Sequence, residues 1–326
     1  KGAYAVSVTC NNASGKWLYD EWKLLVTDIT GDVSCNVDFT SVTVANNYLN
    51  NKIISLAGQT TGTGQVVNEN GYRYEGFNPN NYVWFNNELW RVIGVFDTTL
   101  ADGTTTQSLT KIIRANSIGS LAWDKTNTND WSTSSLKSLL NGAYLNKQDG
   151  TSSGYCYGYS TSMTTNCDYT DIGINDNYRS MIKNITWKLG GWSTSGVTTE
   201  TMYGYERGTK VYSGRPTSTT GYIGLMYPSD YGYSVLASSC ARTTNLNSYS
   251  SATCGGQSWL YGQGYDWTQS PISSNSDYVF ILVFSGFVGS LSANFGFAFR
   301  PTLYLDSTVY VITGTGTKLD PYILAM

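Results

Sequence analysis

The stretch that decides the fold is Trp267–Leu305, WTQSPISSNSDYVFILVFSGFVGSLSANFGFAFRPTLYL. It sets a run of apolar and aromatic residues among Ser, Asn and Gly, and from Ile272 to Phe299 it contains no Lys, Glu, Gln, Trp or Met. Val279, Phe280, Leu282 and Val288 suffice for the buried side of two short strands around a Ser285-Gly286 turn. That leaves Tyr278, Ile281, Phe284, Phe287, Leu291, Phe295 and Phe297 as extra apolar mass. A clustered apolar surface of this kind marks an interaction site. The competing interpretation is a strand buried on both faces, which also reads as a continuous apolar run. Arg300, followed by the alternating TLYL, reads as a structural arginine bonded to loop carbonyls at a strand start.

The surrounding composition narrows the class. The chain has 326 residues, of which 40% are hydrophobic and only 13% charged, against roughly a quarter charged in an average globular protein. Tyr is abundant, with 26 copies. Mean hydropathy is −0.24, as expected of a soluble chain, and no apolar run approaches the roughly 20 residues of a membrane span. This profile fits an extracellular, β-rich protein with long loops. A net charge of −3 with scattered basic residues gives no footprint for nucleic acid or an anionic membrane. The absence of histidine removes the commonest general base and metal ligand.

The six cysteines fall into neighbouring pairs, Cys10/Cys35, Cys156/Cys167 and Cys240/Cys254, none with CxxC spacing. Proximity along the chain is the only ground for pairing them so, because six cysteines permit many connectivities. Three disulfides imply an oxidising compartment, whereas free buried thiols would imply a reducing one. Lys1 is not an initiator Met and nothing resembles a signal peptide, which suits a mature or trimmed product.

Along the chain, residues 1–42 read as a small Ig-like β module of three or four strands, including Glu21–Thr30, stapled by Cys10 and Cys35. A spacer or stalk role is the plain expectation, and a strand-donating contact to a neighbouring subunit is the alternative. Residues 43–63 read as a linker. Tyr82–Phe85, the Asn86-Asn87 turn and Leu89–Phe96 predict a hairpin with Trp84 and Trp90 as core anchors. Leu109–Asn116 adds a strand. Helices are predicted over Ser132–Leu145, with Leu136, Leu139, Leu140 and Tyr144 on one face, and over Ile174–Leu189, ended by Gly190-Gly191. Thr220–Val235 yields only a short strand or helical turn near Ile223–Met226 and an Asp-Tyr-Gly turn. The tail, residues 314–326 with the strand before it, reads as edge strands punctuated by Gly314, Gly316 and Pro321.

At NYVWFNNELWRVIGVF and at Trp267, Ser270, Pro271, Val279, Phe280, Ser285, Gly286, Val288, Ala293, Asn294, Arg300, Pro301, Leu303 and Leu305, the sequence resembles a family of bacterial surface proteins. Their fold is C-type-lectin-like, and they are related in architecture to formylglycine-generating enzymes and to the variable proteins of diversity-generating retroelements. Ala298 stands where that family usually has Gly. The likeness covers roughly residues 64–313 and implies an α+β, C-type-lectin-like ligand-binding domain. In such variable proteins, mutated adenines turn AAY codons into NNY, which cannot encode Lys, Glu, Gln, Trp or Met. Those five types are the ones missing from Ile272 to Phe299.

The resemblance therefore implies an extracellular adhesion or ligand-binding protein with a diversified surface. Its variable positions are Ile272, Tyr278, Ile281, Val283, Phe284, Phe287, Ser290, Leu291, Ser292, Asn294, Phe295 and Phe297. The expected ligand is a protein or glycan on another cell or surface, and neighbouring filament subunits are further expected partners. Nucleic acid, membrane contact and cofactors are not expected. A pilus or tip subunit, or a phage receptor-binding protein on a virion surface, is the alternative. Enzymatic action of the formylglycine-generating type is disfavoured, since every cysteine has a nearby partner and neither GTGQ nor GTGTK has a phosphate-loop pattern. Asp230, Asp266 and Asp277 lack calcium-loop spacing and read as solvated turn residues.

Overall fold

In the computed structural model, residues 3–18, 23–41, 47–262 and 264–326 are described. Glu21, Trp22 and Val42 of the expected β module and residues 43–46 of the expected linker lie outside them. The chain is mixed α+β, mostly sheet with a few short helices. Three disulfides join Cys10 to Cys35, Cys156 to Cys167 and Cys240 to Cys254. No helix among the described residues is long and apolar enough to cross a membrane.

The N-terminal unit is four strands. Ala3–Cys10 pairs antiparallel with Cys35–Ser41, in a register that sets Cys10 opposite Cys35, and Ser14–Leu18 pairs with Lys23–Thr27. Leu25, Ile29, Val33 and Phe39 are exposed, so among the described residues the unit shows little core, the situation in which a disulfide adds most.

The main body is organised by two sheets. Among the described residues the larger has ten strands, with Glu88–Thr99 and Thr106–Arg114 at its centre and Thr302–Leu305 beside them. The smaller holds Ser120–Ala122, Gly296–Ala298, Asp266–Pro271, Tyr278–Leu282 and Val288–Ser292, in that order. Thus the segment quoted above builds most of the second sheet and then crosses to the first through Phe299 and Arg300, both buried. Arg300 Nη2 lies 3.0 Å from the Leu260 carbonyl and 2.8 Å from Asp266, so it ties the crossing to a loop and to the neighbouring strand.

The hairpin forms as its sequence predicts. Asn86 and Asn87 have φ of 56° and 62°, the left-handed pair that a two-residue turn requires, and Phe85 sits opposite Glu88. Trp90 is buried but Trp84 is not a core anchor. Side chains alternate along the strand, so Val83 and Phe85 turn inward, and Trp84 lines a cleft of about 830 Å³ with Trp17, Leu89, Met181 and Ile323.

Other expectations are corrected. The supposed linker carries helix Leu49–Ser55, whose Leu49 and Ile53, four residues apart, are buried in the larger core. An Asn-rich context had hidden that face. Helical structure covers Trp131–Thr133 and Ser135–Tyr144, and Ser134, extended between them, caps the second by accepting from Lys137 N. Over Ile174–Leu189, by contrast, only Asp176–Arg179 is helical. Ile185–Lys188 is a strand paired with Ser218–Gly221, and its buried Ile185 and Trp187 alternate with Thr186 and Lys188. β-branched Ile and Thr beside Trp favour that state. The stretch Pro228–Ser234 is a fully buried helix rather than a turn. The tail strand Tyr322–Ala325 is internal, parallel to Tyr82–Phe85 and antiparallel to Tyr310–Thr313, with Tyr322 and Leu324 in the core. The body therefore extends beyond residue 313.

Candidate binding surface

Strand Tyr278–Leu282 lies between Asp266–Pro271 and Val288–Ser292, and both its faces are covered. Val279, Ile281 and Val283 enter one core, while Phe280, Leu282 and Val288 enter the other. Ile281 and Val283 are therefore structural, and so is Ile272, which packs in the second core. These three are corrected from surface to core. Their burial follows from the position of the strand between two cores, which a single-face count does not reveal.

The rest of the predicted set reaches solvent in differing degrees. Phe284 is 59% exposed, Tyr278 39% and Phe295 38%. Ser290, Leu291, Ser292, Asn294 and Phe297 are half-buried. Phe287 is half-buried as well, but it packs against both cores and belongs to the scaffold more than to the surface.

The exposed rings form a ladder with residues the sequence did not single out. Tyr159 meets Phe295 edge-on at 5.3 Å, and Phe295 stacks on Phe297 at 5.8 Å. Phe297 stacks on Tyr265 at 5.1 Å, and Tyr265 meets Phe284 at 5.4 Å. Beneath, the buried Trp267 touches Phe297 edge-on. Ring pairs in this range each contribute roughly 0.5–1.5 kcal/mol beyond area burial. The ladder is thus a preorganised apolar strip rather than a set of loose side chains. Tyr159 comes from the Cys156–Cys167 loop, and the only advance hint of its role was that loop's run of tyrosines.

What holds the strip in place acts on main-chain atoms. Ser160 N donates to Asn294 O at 2.7 Å, and Asn127 Oδ1 accepts from Asn294 N at 3.2 Å. Asp124 N donates to Ala293 O, and Ala293 N donates to Asp277 O. At the other turn, Ser251 N donates to Ser285 O, Tyr231 OH to Gly286 O at 2.6 Å, and Tyr261 OH to Phe284 O at 3.0 Å. Gly286 has φ of 97°, and a Cβ there would lie 2.9 Å from Ser250 backbone, so this position requires glycine. Gly296 is fixed by space: a Cβ would sit 2.0 Å from the Gly158 carbonyl. Two disulfide-closed loops thus brace the two turns through backbone. Side chains at 284, 290, 294 and 295 can change without breaking these bonds.

Charge is nearly absent from the strip. Asp277 accepts from Asn127 Nδ2 at 3.0 Å. Asp266 is buried against Arg300, and burial raises its carboxyl above the usual range although Arg300 opposes this. Asp230 is not a solvated turn residue. It is buried between Lys111 Nζ at 2.5 Å and Arg73 Nη1 at 3.1 Å, and Tyr227 N donates to it. Burial alone would raise the Asp230 carboxyl, but the two cations reverse that and hold it at about 2. The Lys111 ammonium is pushed down to about 8 by burial, against the pull of Asp230. Among the described residues there is no group of three or more His, Cys, Asp or Glu placed to hold a metal ion.

No protein-family model, curated protein or solved structure matches this chain.

Proposed function

We propose that the protein is an extracellular or surface-displayed binding protein. In this reading the main body is a C-type-lectin-like domain, and its ligand is a protein or glycan of another surface. The observation that carries the proposal is the ladder Tyr159–Phe295–Phe297–Tyr265–Phe284, drawn from four places in the chain, in which Tyr159, Phe295 and Phe284 are exposed and Phe297 and Tyr265 half-buried. Rigid aromatic side chains supply large contact area at low conformational cost, which is why binding surfaces favour them. Clustered apolar surface of this kind marks interaction sites. The three disulfides fit an oxidising, extracellular setting.

We further propose that the strip is diversified. The main-chain bracing supports this, since it separates residues that fold from residues that contact. The DNA next to the coding region tests it. The expected result is a reverse transcriptase and an imperfect repeat of the Trp267–Leu305 region, differing at adenines. The affected codons should include those of Phe284, Ser290, Asn294 and Phe295 and should spare Gly286, Val279 and Phe280. Absence of any repeat would remove diversification while leaving the binding surface as proposed.

A further inference from the structure

We infer that a single buried water molecule is a fixed part of the scaffold, held by Asn129 Oδ1, Trp131 Nε1 and Arg215 Nε. All three atoms are buried and lack a hydrogen-bond partner within the protein, although Asn129 and Trp131 are each only 1% exposed. Their residues line one cavity of about 10 Å³, together with Asp130, Leu189, Val211, Pro216 and Pro271. That volume corresponds to roughly one water-sized probe, the smallest space that holds a water. An unmet buried polar atom costs about 1–3 kcal/mol, so three on residues that line one small cavity call for a shared partner.

The chemistry of the three atoms selects the occupant. Trp131 Nε1–H and Arg215 Nε–H only donate, and Asn129 Oδ1 only accepts. A bare cation is repelled by the two N–H groups, and an anion by the amide oxygen. Water accepts from both donors and donates to the acceptor. Its second proton has an acceptor within the same cavity wall in Asp130.

The orientation of Asn129 is fixed from its other end. Its Nδ2 lies 2.9 Å from Ile272 O, 2.7 Å from Asn275 O and 3.0 Å from Tyr278 O. Three carbonyls require the nitrogen there, so the oxygen must face the cavity. Asn129 N and Arg215 Nη2 both donate to Ser276 O. The water thus completes a clamp on the loop 272–278, which leads into the strand that starts at Tyr278. This role rests on the fold alone and stands whether or not the aromatic strip binds a ligand.

A crystal structure of the full chain, at a resolution that shows ordered solvent, tests the inference. The expected result is one peak within about 2.7–3.2 Å of all three atoms. In the Trp131→Phe variant, which removes one donor and keeps a ring, that peak should weaken while the Asn129 contacts to the loop persist. Wild-type density with no peak, or with the three atoms bonded directly to protein groups, overturns the inference. A peak that Trp131→Phe leaves unchanged removes Trp131 from the site and overturns the three-point assignment.

Discussion

Asp230→Asn should lower stability by about 3–5 kcal/mol, the cost of leaving buried charges without their counter-ion. The replacement keeps the side-chain volume and an oxygen able to accept from Tyr227 N, so the helix start Pro228–Ser234 retains its cap. What disappears is the negative charge between Lys111 and Arg73, both fully buried. The cation–ring contacts of Lys111 with Tyr227 and of Arg73 with Phe96 and Tyr233 do not replace it. For a chain of this size the melting temperature should fall by on the order of 10 °C, measured by calorimetry. The same pair sets an acid limit. The folded Asp230 carboxyl titrates at about 2, below its unfolded value, so its contribution is full above about pH 4. It is lost as pH falls through 2, and Asp230→Asn should flatten that part of the stability profile.

Phe287→Ala should cost about 2–3 kcal/mol, toward the low end for a phenyl truncation because the ring is half-buried. Phe287 reaches into both hydrophobic cores beside Gly289 and Val283. Neither core can close over the lost ring without moving the Val283–Phe287 turn, whose ends are joined by the Val283 N to Phe287 O bond. Phe284→Ser, three residues away, should cost no more than about 1 kcal/mol, since that ring is mostly in water and gives up one ring contact, to Tyr265. Urea titration of both variants measures the contrast. Equal losses would mean that Phe284 is also framework.

How far the sequence carried follows from which interactions were local. The Asn86-Asn87 hairpin and the Leu136/Leu139/Leu140/Tyr144 face depend on turn chemistry and short-range spacing, and both are present. The neighbouring cysteine pairs all close. Periodicity misled where an apolar set served two environments. Ile185 and Trp187 fall within the stretch expected to be helical but lie on a strand, and Ile281 looked surplus because the second core was not visible along the chain. The buried helix Pro228–Ser234, made of Tyr, Ser, Gly and Asp, has no apolar stripe to betray it. Its burial goes with the packing of Tyr231 in the second core, and the ion pairs of Asp230 with residues far away in sequence compensate the buried charge. Of the exposed aromatic residues, Phe284, Phe295 and Tyr278 could be found in advance from apolar residues among Ser and Gly. Tyr159 and Tyr265 could not, because they join the ladder only through tertiary contact.

The central claim is that exposed rings, and not the fold around them, engage the ligand. The direct measurement takes a ligand selected from a panel of surface proteins and glycans with the whole chain, and titrates it against wild type and the Phe284→Ser/Phe295→Ser variant. Hot-spot rings contribute about 2 kcal/mol or more each, so affinity should fall on the order of 10²–10³-fold. The melting temperature should fall by no more than about 5 °C, the loss of the ring contacts to Tyr159, Phe297 and Tyr265. An affinity unchanged by the double substitution would contradict the account and place the binding surface elsewhere on the molecule.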